Sequence, residues 1–329
     1  MQALILAGGE GTRLRPLTNT VPKPVIPLVN RPFLTYMIEW LATHGFTEVV
    51  MSCMFMAGDI RRVLGDREWK GTRLHYVEEP EPRGTAGAVK FAEDVLDERF
   101  AVLNGDILTD FDVSALWRRH EELDARATIT LMEVEDPSAY GLVMRDAHDA
   151  VTDFIEKPPN APPGGAFVNA GAYVLEHEVL ELMPADRAVS FEREVFPALV
   201  GDGLYGFPTE GYWLDIGTPE RYLEATRYLL ERSLSGNIAA GDACVIASGA
   251  RVGPHAVLGD LCRVDEGAVI ERAVLFDKAR VGQDAVVRDS VVGNGAQIGA
   301  GSRVEGATIV ADGAVVEAGT VLSGARVER

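Results

Sequence analysis

From about residue 238 to the C-terminus, an aliphatic residue recurs every six positions. The series runs Ile246, Val252, Leu258, Val264, Ile270 and Phe276. After a five-residue step it resumes at Val281 and Val287, and after another it continues through Val292, Ile298, Val304, Val310, Val316 and Leu322. Glycines and small residues fill the positions between. A hexapeptide period of this length predicts a parallel β-helix, with one aliphatic residue per face turned inward. At about 18 residues per coil the segment holds roughly four to five coils. Stacked coils leave flat ends and sides, which suit self-association. The tail is therefore expected to be a stacking and oligomerisation module, and the chain a homo-oligomer, dimer or tetramer.

Residues 1 to about 232 have a different pattern. Strand-like segments at 2–7, 47–53, 73–77, 100–104, 127–134 and 171–175 alternate with helix-like segments at 32–45, 57–65, 85–95, 112–123 and 219–233. Such alternation predicts a layered α/β domain with a Rossmann-like, mixed but mostly parallel sheet. Two domains are expected, 1–232 and 233–329, which suits a chain of 329 residues. Ligands in such sheets bind beyond the carboxyl ends of strands.

Composition excludes several function classes. The net charge of −19 argues against nucleic acid or an anionic membrane as partner. No apolar run reaches the ~18 residues needed to span a bilayer, and no basic region precedes the first apolar stretch, as a signal peptide would require. Cys53, Cys244 and Cys262 share no metal-ligand spacing, so a reducing, cytoplasmic setting is expected. Lysine is scarce, only five among 31 basic residues. Two of the five, Lys23 and Lys157, stand beside prolines, in Pro22-Lys23-Pro24 and Glu156-Lys157-Pro158.

Residues 7–24 read AGGEGTRLRPLTNTVPKP, directly after the apolar run Ala3–Ala7. Gly8, Gly9 and Gly11 let the backbone turn and bring amide groups close to an anion. Arg13, Arg15 and Lys23 add full charges. The spacing is neither that of a P-loop nor that of a dinucleotide fingerprint. The glycines alone could form an ordinary turn. The whole string, G-G-x-G-T-R-L-x-P-L-T followed by P-K-P, resembles the signature of the sugar-1-phosphate nucleotidylyltransferases. That resemblance implies that an oxygen of a sugar 1-phosphate attacks the α-phosphorus of a nucleoside triphosphate and pyrophosphate leaves. The attacking oxygen is already anionic, so no general base is required. Catalysis then rests on positioning and on charge stabilisation by Mg²⁺ and cationic side chains.

Magnesium prefers one or two carboxylates plus phosphate oxygens and waters. Asp106 ends the string LNGD and Asp215 lies in GYWLDIGTPERY. Either could be an ordinary turn aspartate, but both strings resemble the family's metal-binding motifs. The resemblance extends to other positions. It implies that Leu6, Ala7, Gly8, Gly9, Gly11, Thr12, Arg13, Glu79, Gly84 and Thr85 contact the nucleotide. Asp153–Pro158 is similar to the family's E-K-P element, so Lys157 is expected to hold the sugar phosphate and Glu156 the sugar hydroxyls. Tyr140-Gly141 and Val168-Asn169-Ala170-Gly171 resemble loops that line the sugar, which places Tyr140, Gly141, Asn169 and Gly171 there. The expected catalytic set is Arg13, Lys23, Asp106, Lys157 and Asp215.

The segment Glu79–Gly87 resembles the family's base-recognition segment, which implies that the base is read there. Thymidylyl and uridylyl members typically carry Gln where Glu79 falls. A carboxylate only accepts hydrogen bonds, and guanine offers two adjacent donors, so Glu79 favours GTP. Glu78 is adjacent and Glu81 is near, so a shifted alignment would put one of them in this place, and a backbone group is the other alternative reader. Ser190–Pro197 and Gly211–Asp215 resemble mannose-1-phosphate guanylyltransferases of the β-helix-bearing type, and the tail resembles the left-handed β-helix of hexapeptide proteins. The alternatives are a glucose-1-phosphate thymidylyl- or uridylyltransferase and a non-catalytic regulatory homologue. A β-helix acyltransferase would need a histidine base, for which only His255 is available in the tail.

Overall fold

The computed structural model describes residues 1–158, 165–232 and 236–329. The domain boundary expected between 232 and 233 meets residues 233–235, which lie outside the described residues. The chain forms two compact units, Met1–Gly9 with Leu34–Trp213, and Glu10–Phe33 with Leu214–Arg329.

The first unit is built on a mixed sheet, ten-stranded among the described residues. Its middle strand, Gln2–Leu6, is apolar and buried, and pairs in parallel with Glu48–Cys53 on one side and Arg99–Asn104 on the other. Glu48–Cys53 in turn pairs in parallel with Thr72–Glu78. Strands buried on both faces need continuous apolar runs, and Ala3–Ile5, Val49–Met51 and Phe100–Leu103 supply them. Because these strands are parallel, Leu6, Cys53, Glu78 and Asn104 end at one edge. Helices expected at 32–45, 57–65 and 112–123 form at Phe33–Thr43, Ala57–Leu64 and Val113–Glu122. The last is capped by Asp112, whose carboxylate accepts from the Ala115 amide at 2.9 Å. The helix expected over 85–95 closes at Phe91, and a separate 3₁₀ turn follows at Glu93–Val95.

The sheet continues with antiparallel strands, of which the sequence pattern exposes 127–134 and 171–175 but not the hairpin at 141–156. Ala166–Glu176 runs against Arg99–Asn104, and Gly141–Arg145 pairs with Val151–Glu156 as a hairpin. The segments read as sugar-lining loops are therefore strand ends and a bulge. Gly141 faces Glu156 across the hairpin, and Asn169 and Gly171 lie in a strand whose register shifts between Asn169 and Tyr173. Gly171 has φ +74, which favours glycine, and a Cβ there would lie 2.6 Å from the Asn104 side-chain nitrogen Nδ2. Glycines at a bulge break the period-2 alternation, which is why only 171–175 reads as strand.

In the second unit the tail is a parallel β-helix with three faces of six, five and five strands. It begins at Ile238, earlier than the first inward residue expected at Ile246. Ile246 itself is exposed, at the open end of the stack. Leu258, Val264, Ile270, Val281, Val287, Val292, Ile298, Val304, Val310 and Val316 fill the core, with alanines at the corners. One position differs from the expected series. The register places Leu275, not Phe276, in line with Leu258 and Val292. The short step thus falls between Ile270 and Leu275, because a five-residue turn moves the inward position back by one, and Phe276 packs outside this core. Leu275→Ala should lower stability by about 2–5 kcal/mol, measured by denaturant unfolding. A loss under about 1 kcal/mol would mean that the coil closes over the gap.

Candidate active site

Three expected catalytic residues meet in the second unit. Gly11 has φ +62, and a Cβ there would lie 3.0 Å from the Lys23 Cβ and from the Thr18 methyl. The Thr18 hydroxyl donates to the Gly11 carbonyl at 2.9 Å. The glycine turn is thereby folded back on Lys23, and Thr12–Leu14 winds on from it as a 3₁₀ turn. Lys23 is buried, with Nζ 3.8 Å from Asp215 Oδ1. Arg13 is open to solvent, with Nη2 3.7 Å from Asp215 Oδ2. One carboxylate thus stands between a buried ammonium and an exposed guanidinium. Gly217 makes room for this arrangement, since a Cβ there would lie 2.3 Å from Arg13 Nη2 and 2.8 Å from Asp215 Oδ1.

The first unit holds the other expected residues, several of them at the common strand edge. Ala7 donates its amide to the Ser52 carbonyl at 2.8 Å, and Gly9 leaves open space where a side chain would stand. Gly8 lies beside Glu79, whose Oε1 is 3.6 Å from where a Cβ of Gly8 would be. Glu79 is buried and accepts from the Ser52 hydroxyl at 2.7 Å. Burial pushes its pKa up, against the lowering effect of Ser52 and of the Arg83 amide and charge. Gly84, at φ +73, packs so closely on the Val189 carbonyl that a Cβ would lie 2.5 Å away. The Thr85 hydroxyl is engaged twice, donating to Glu192 and accepting from the Phe191 amide, both at 2.9 Å. Its side chain braces the Gly84–Phe91 helix. Gly105 donates its amide to the Leu6 carbonyl at 3.0 Å and has no room for a Cβ, which fixes Asp106 beside the end of the first strand.

The expected acceptor residues also converge. Glu156 ends its strand opposite Gly141, and a Cβ on Gly141 would lie 3.2 Å from Glu156 Oε2. Burial raises the Glu156 pKa, and the nearby Glu192 charge raises it further. Lys157 follows at φ +49, donates its amide to the Tyr140 carbonyl, and places Nζ 3.8 Å from Glu156. Tyr140 packs edge-on against Trp213 at 5.1 Å, and the Trp213 indole donates to the Ala170 carbonyl at 2.8 Å. The Asn169 amide donates to the buried Tyr173 hydroxyl at 3.1 Å, and its oxygen accepts from the Gly171 amide. Burial raises the Tyr173 pKa, as do the charges of Glu192, Glu156 and Asp106.

Four residues gain a place here that motif reading did not give them. They are Ser52, Tyr173, Glu192 and Trp213. Glu192 and Trp213 belong to strings that resemble the family, but nothing in their spacing marks them. Only the fold brings Glu192 to Glu156 or Trp213 to Tyr140.

A family profile described as nucleotidyl transferase matches residues 2–232. The chain belongs to the nucleotidyltransferase family. A second profile, described as the GMPPB C-terminal domain, matches residues 234–328. A mannose-1-phosphate guanylyltransferase of Mycobacterium tuberculosis is 36% identical over 83% of this chain and 83% of its own length. A mannose-1-phosphate guanyltransferase of Saccharomyces cerevisiae is 39% identical over 69% of this chain and 64% of its own. The crystal structure of HddC from Yersinia pseudotuberculosis complexed with GMP-PN is similar at TM-score 0.58 and 30% identity, covering 68% of this chain and 97% of that one. As a nucleotidyltransferase, the protein acts on a nucleoside triphosphate and a sugar phosphate, and enzymes of this family generally use a divalent metal. Among the described residues no group of three or more His, Cys, Asp or Glu could hold a metal by itself. Asp106 and Asp215 are nonetheless hard oxygen donors of the kind a divalent cation takes alongside phosphates and water. Among the described residues no helix is long and apolar enough to cross a membrane.

Proposed function

We propose that the protein transfers a guanylyl group from GTP to mannose 1-phosphate, forming GDP-mannose and releasing pyrophosphate. The observation that carries this reading is the similarity over 83% of the chain to relatives named for that activity. The buried carboxylate at Glu79 supports it by hydrogen-bond complementarity, since its oxygens only accept and guanine presents two adjacent donors.

In this reading the glycine turn, Arg13 and Lys23 grip the triphosphate. Lys23 is a buried point charge for the phosphates that leave, and Arg13 follows them from the solvent side. Leu6, Ala7, Gly8, Gly9, Thr12, Gly84 and Thr85 complete the nucleotide contacts, those of Gly84 and Thr85 through backbone. Lys157 holds the sugar phosphate. Glu156 and Asn169 accept and donate to sugar hydroxyls, and Tyr140, Gly141 and Gly171 shape the space around them. A phosphate oxygen of the sugar 1-phosphate attacks the α-phosphorus, the bond from that phosphorus to the bridging oxygen breaks, and the electron pair leaves with pyrophosphate. Asp106 and Asp215 are the proposed carboxylates for Mg²⁺, which when bound supplies charge stabilisation for the phosphates.

Residues 1–232 are proposed as the catalytic domain and 233–329 as an oligomerisation and regulatory domain. Exposed Val245, Val315 and Val321 support self-association of the β-helix. Three free cysteines support a cytoplasmic setting.

The test is pyrophosphate release across four nucleoside triphosphates and several sugar 1-phosphates, with and without Mg²⁺. The highest kcat/KM is expected for GTP with mannose 1-phosphate. A preference for dTTP or UTP with glucose 1-phosphate would overturn the guanine and mannose reading. No turnover with any pair would favour a regulatory homologue.

A further inference from the structure

The segment that carries Lys23 is tied to the β-helix on both sides of that lysine. Before it, the Thr20 hydroxyl donates to Asp312 Oδ2 at 2.8 Å. After it, the Asn30 side-chain amide donates to the Leu258 carbonyl at 2.7 Å. These anchors fall on one face of the β-helix. Leu258 ends the second strand of its six-stranded sheet, and Asp312 lies two residues after the end of the fifth, Ile309–Val310. At about 4.8 Å per strand the anchors are roughly 14 Å apart, a distance ten residues readily span. The strands of that stretch bury their outward residues as well, namely Val257, Val274, Val291 and Ile309.

Both anchors are built into stiff structure. Asp312 belongs to a ladder that recurs on this corner of the coils. Asp260 accepts from the Asp242 amide, Asp277 from the Asp260 amide and Asp312 from the Asn294 amide, at 2.7–2.9 Å. In Asp312 one oxygen serves the ladder and the other receives Thr20. Asn30 sits at the tip of a short hairpin, Pro27–Leu28 with Arg31–Pro32, where Val29 and Asn30 have φ +48 and +59. Such a turn favours Asn. The hairpin leads back to the lysine, since the Phe33 amide bonds the Ile26 carbonyl at 3.1 Å and the Ile26 amide bonds the Lys23 carbonyl at 3.2 Å. The Tyr222 hydroxyl donates to the Pro27 carbonyl and fixes the hairpin from the Pro219–Arg232 helix.

We propose that the β-helix is a positioning element for the triphosphate lysine, with Thr20 and Asn30 as positioning residues that transmit its rigidity to Lys23. The inference rests on the reading of Lys23 as a triphosphate contact. It makes the tail part of the catalytic apparatus as well as a surface for assembly. Anything that distorts this face of the coils then changes the grip on GTP.

The experiment compares Thr20→Val, Asn30→Gly and their combination with the wild-type chain and with Lys23→Ala. Valine removes the hydroxyl at nearly constant shape. Glycine removes the amide and keeps the positive φ. A 1 Å misplacement of a reacting group can cost about 10²-fold, and loosening two anchors of a segment that stays in place should cost less, about 5- to 20-fold. The double variant should raise KM for GTP and lower kcat within that range, and leave KM for mannose 1-phosphate within about twofold. Thr20→Ser, which keeps the donor, should restore the Thr20→Val loss. A fall in kcat alone, with both KM values unchanged, would signal a loss of folded protein only and overturn the inference. Wild-type kinetics in the double variant, with Lys23→Ala defective, would also overturn it. Normal GTP kinetics in Lys23→Ala would instead remove the reading of Lys23 on which it stands.

Discussion

Asp215→Asn is expected to lower kcat by about 10²–10³-fold, the range lost when a preorganised charge contact to the transition state is removed. The substitution keeps the shape and deletes the charge. Arg13 and Lys23 lie 3.7 and 3.8 Å from this carboxylate, distances too long for direct hydrogen bonds. The neighbours Leu214 and Ile216 are buried and hold the strand whether or not Asp215 is charged. The amide can keep hydrogen bonds to the carboxylate's neighbours, so the variant should fold and show a cooperative thermal transition while turnover is lost. The sign for GTP binding is the opposite of the sign for turnover. Without the carboxylate, the two cations keep more of their field for the triphosphate. KM for GTP should stay level or fall while kcat collapses, the pattern of an interaction that matters more in the transition state than in the ground state. Asp106→Asn should lower kcat in the same direction. Steady-state pyrophosphate release at saturating Mg²⁺ measures both. Turnover within about threefold of wild type in either variant would remove that aspartate from the metal assignment.

The architecture was legible because its main signals are periodic. A six-residue repeat forces a β-helix, and alternating apolar runs with amphipathic segments force a layered sheet. The exceptions are local. The five-residue step reads one strand late from sequence because Leu275 and Phe276 are both apolar, and sequence alone does not say which turns inward. In the antiparallel half, 127–134 and 171–175 read as strands, but the 141–156 hairpin and the start of Ala166–Glu176 do not, because Gly141 and Gly171 interrupt the alternation where backbone must approach Glu156 and Asn104. Residues carried by short motifs, such as Lys23, Asp106 and Glu156, can be named as candidates from sequence. Residues that matter through tertiary contact cannot. Ser52 is an ordinary strand serine until the fold places it under Glu79. Thr20 and Asn30 carry no motif, and their partners are more than two hundred positions away.

Glu79→Gln separates base reading from folding, because the two effects have opposite signs. Burial raises the folded-state pKa of Glu79 above its unfolded value. The folded protein therefore holds that proton more tightly than the unfolded chain does. Above the folded pKa the ionised carboxylate weakens the fold, and this cost disappears as the pH falls through the folded pKa. Glutamine has no charge to bury and its oxygen can still accept from Ser52. Tm of the variant at neutral pH should equal or exceed that of wild type, and the difference should close on acidification. Guanine recognition responds the other way. The amide presents one acceptor and one donor, so one of the two guanine donors meets an N–H. Losing a two-point contact is worth about 1–3 kcal/mol, so kcat/KM for GTP should fall about 10- to 100-fold, while that for dTTP or UTP holds or rises. In wild type, kcat/KM for GTP should also decline as the pH falls through a value above the ordinary carboxylate range, and the variant should lack that limb. GTP kinetics unchanged in Glu79→Gln would assign the base to another group. Glu79 would then serve with Ser52 and Arg83 to hold the turn whose backbone does the reading.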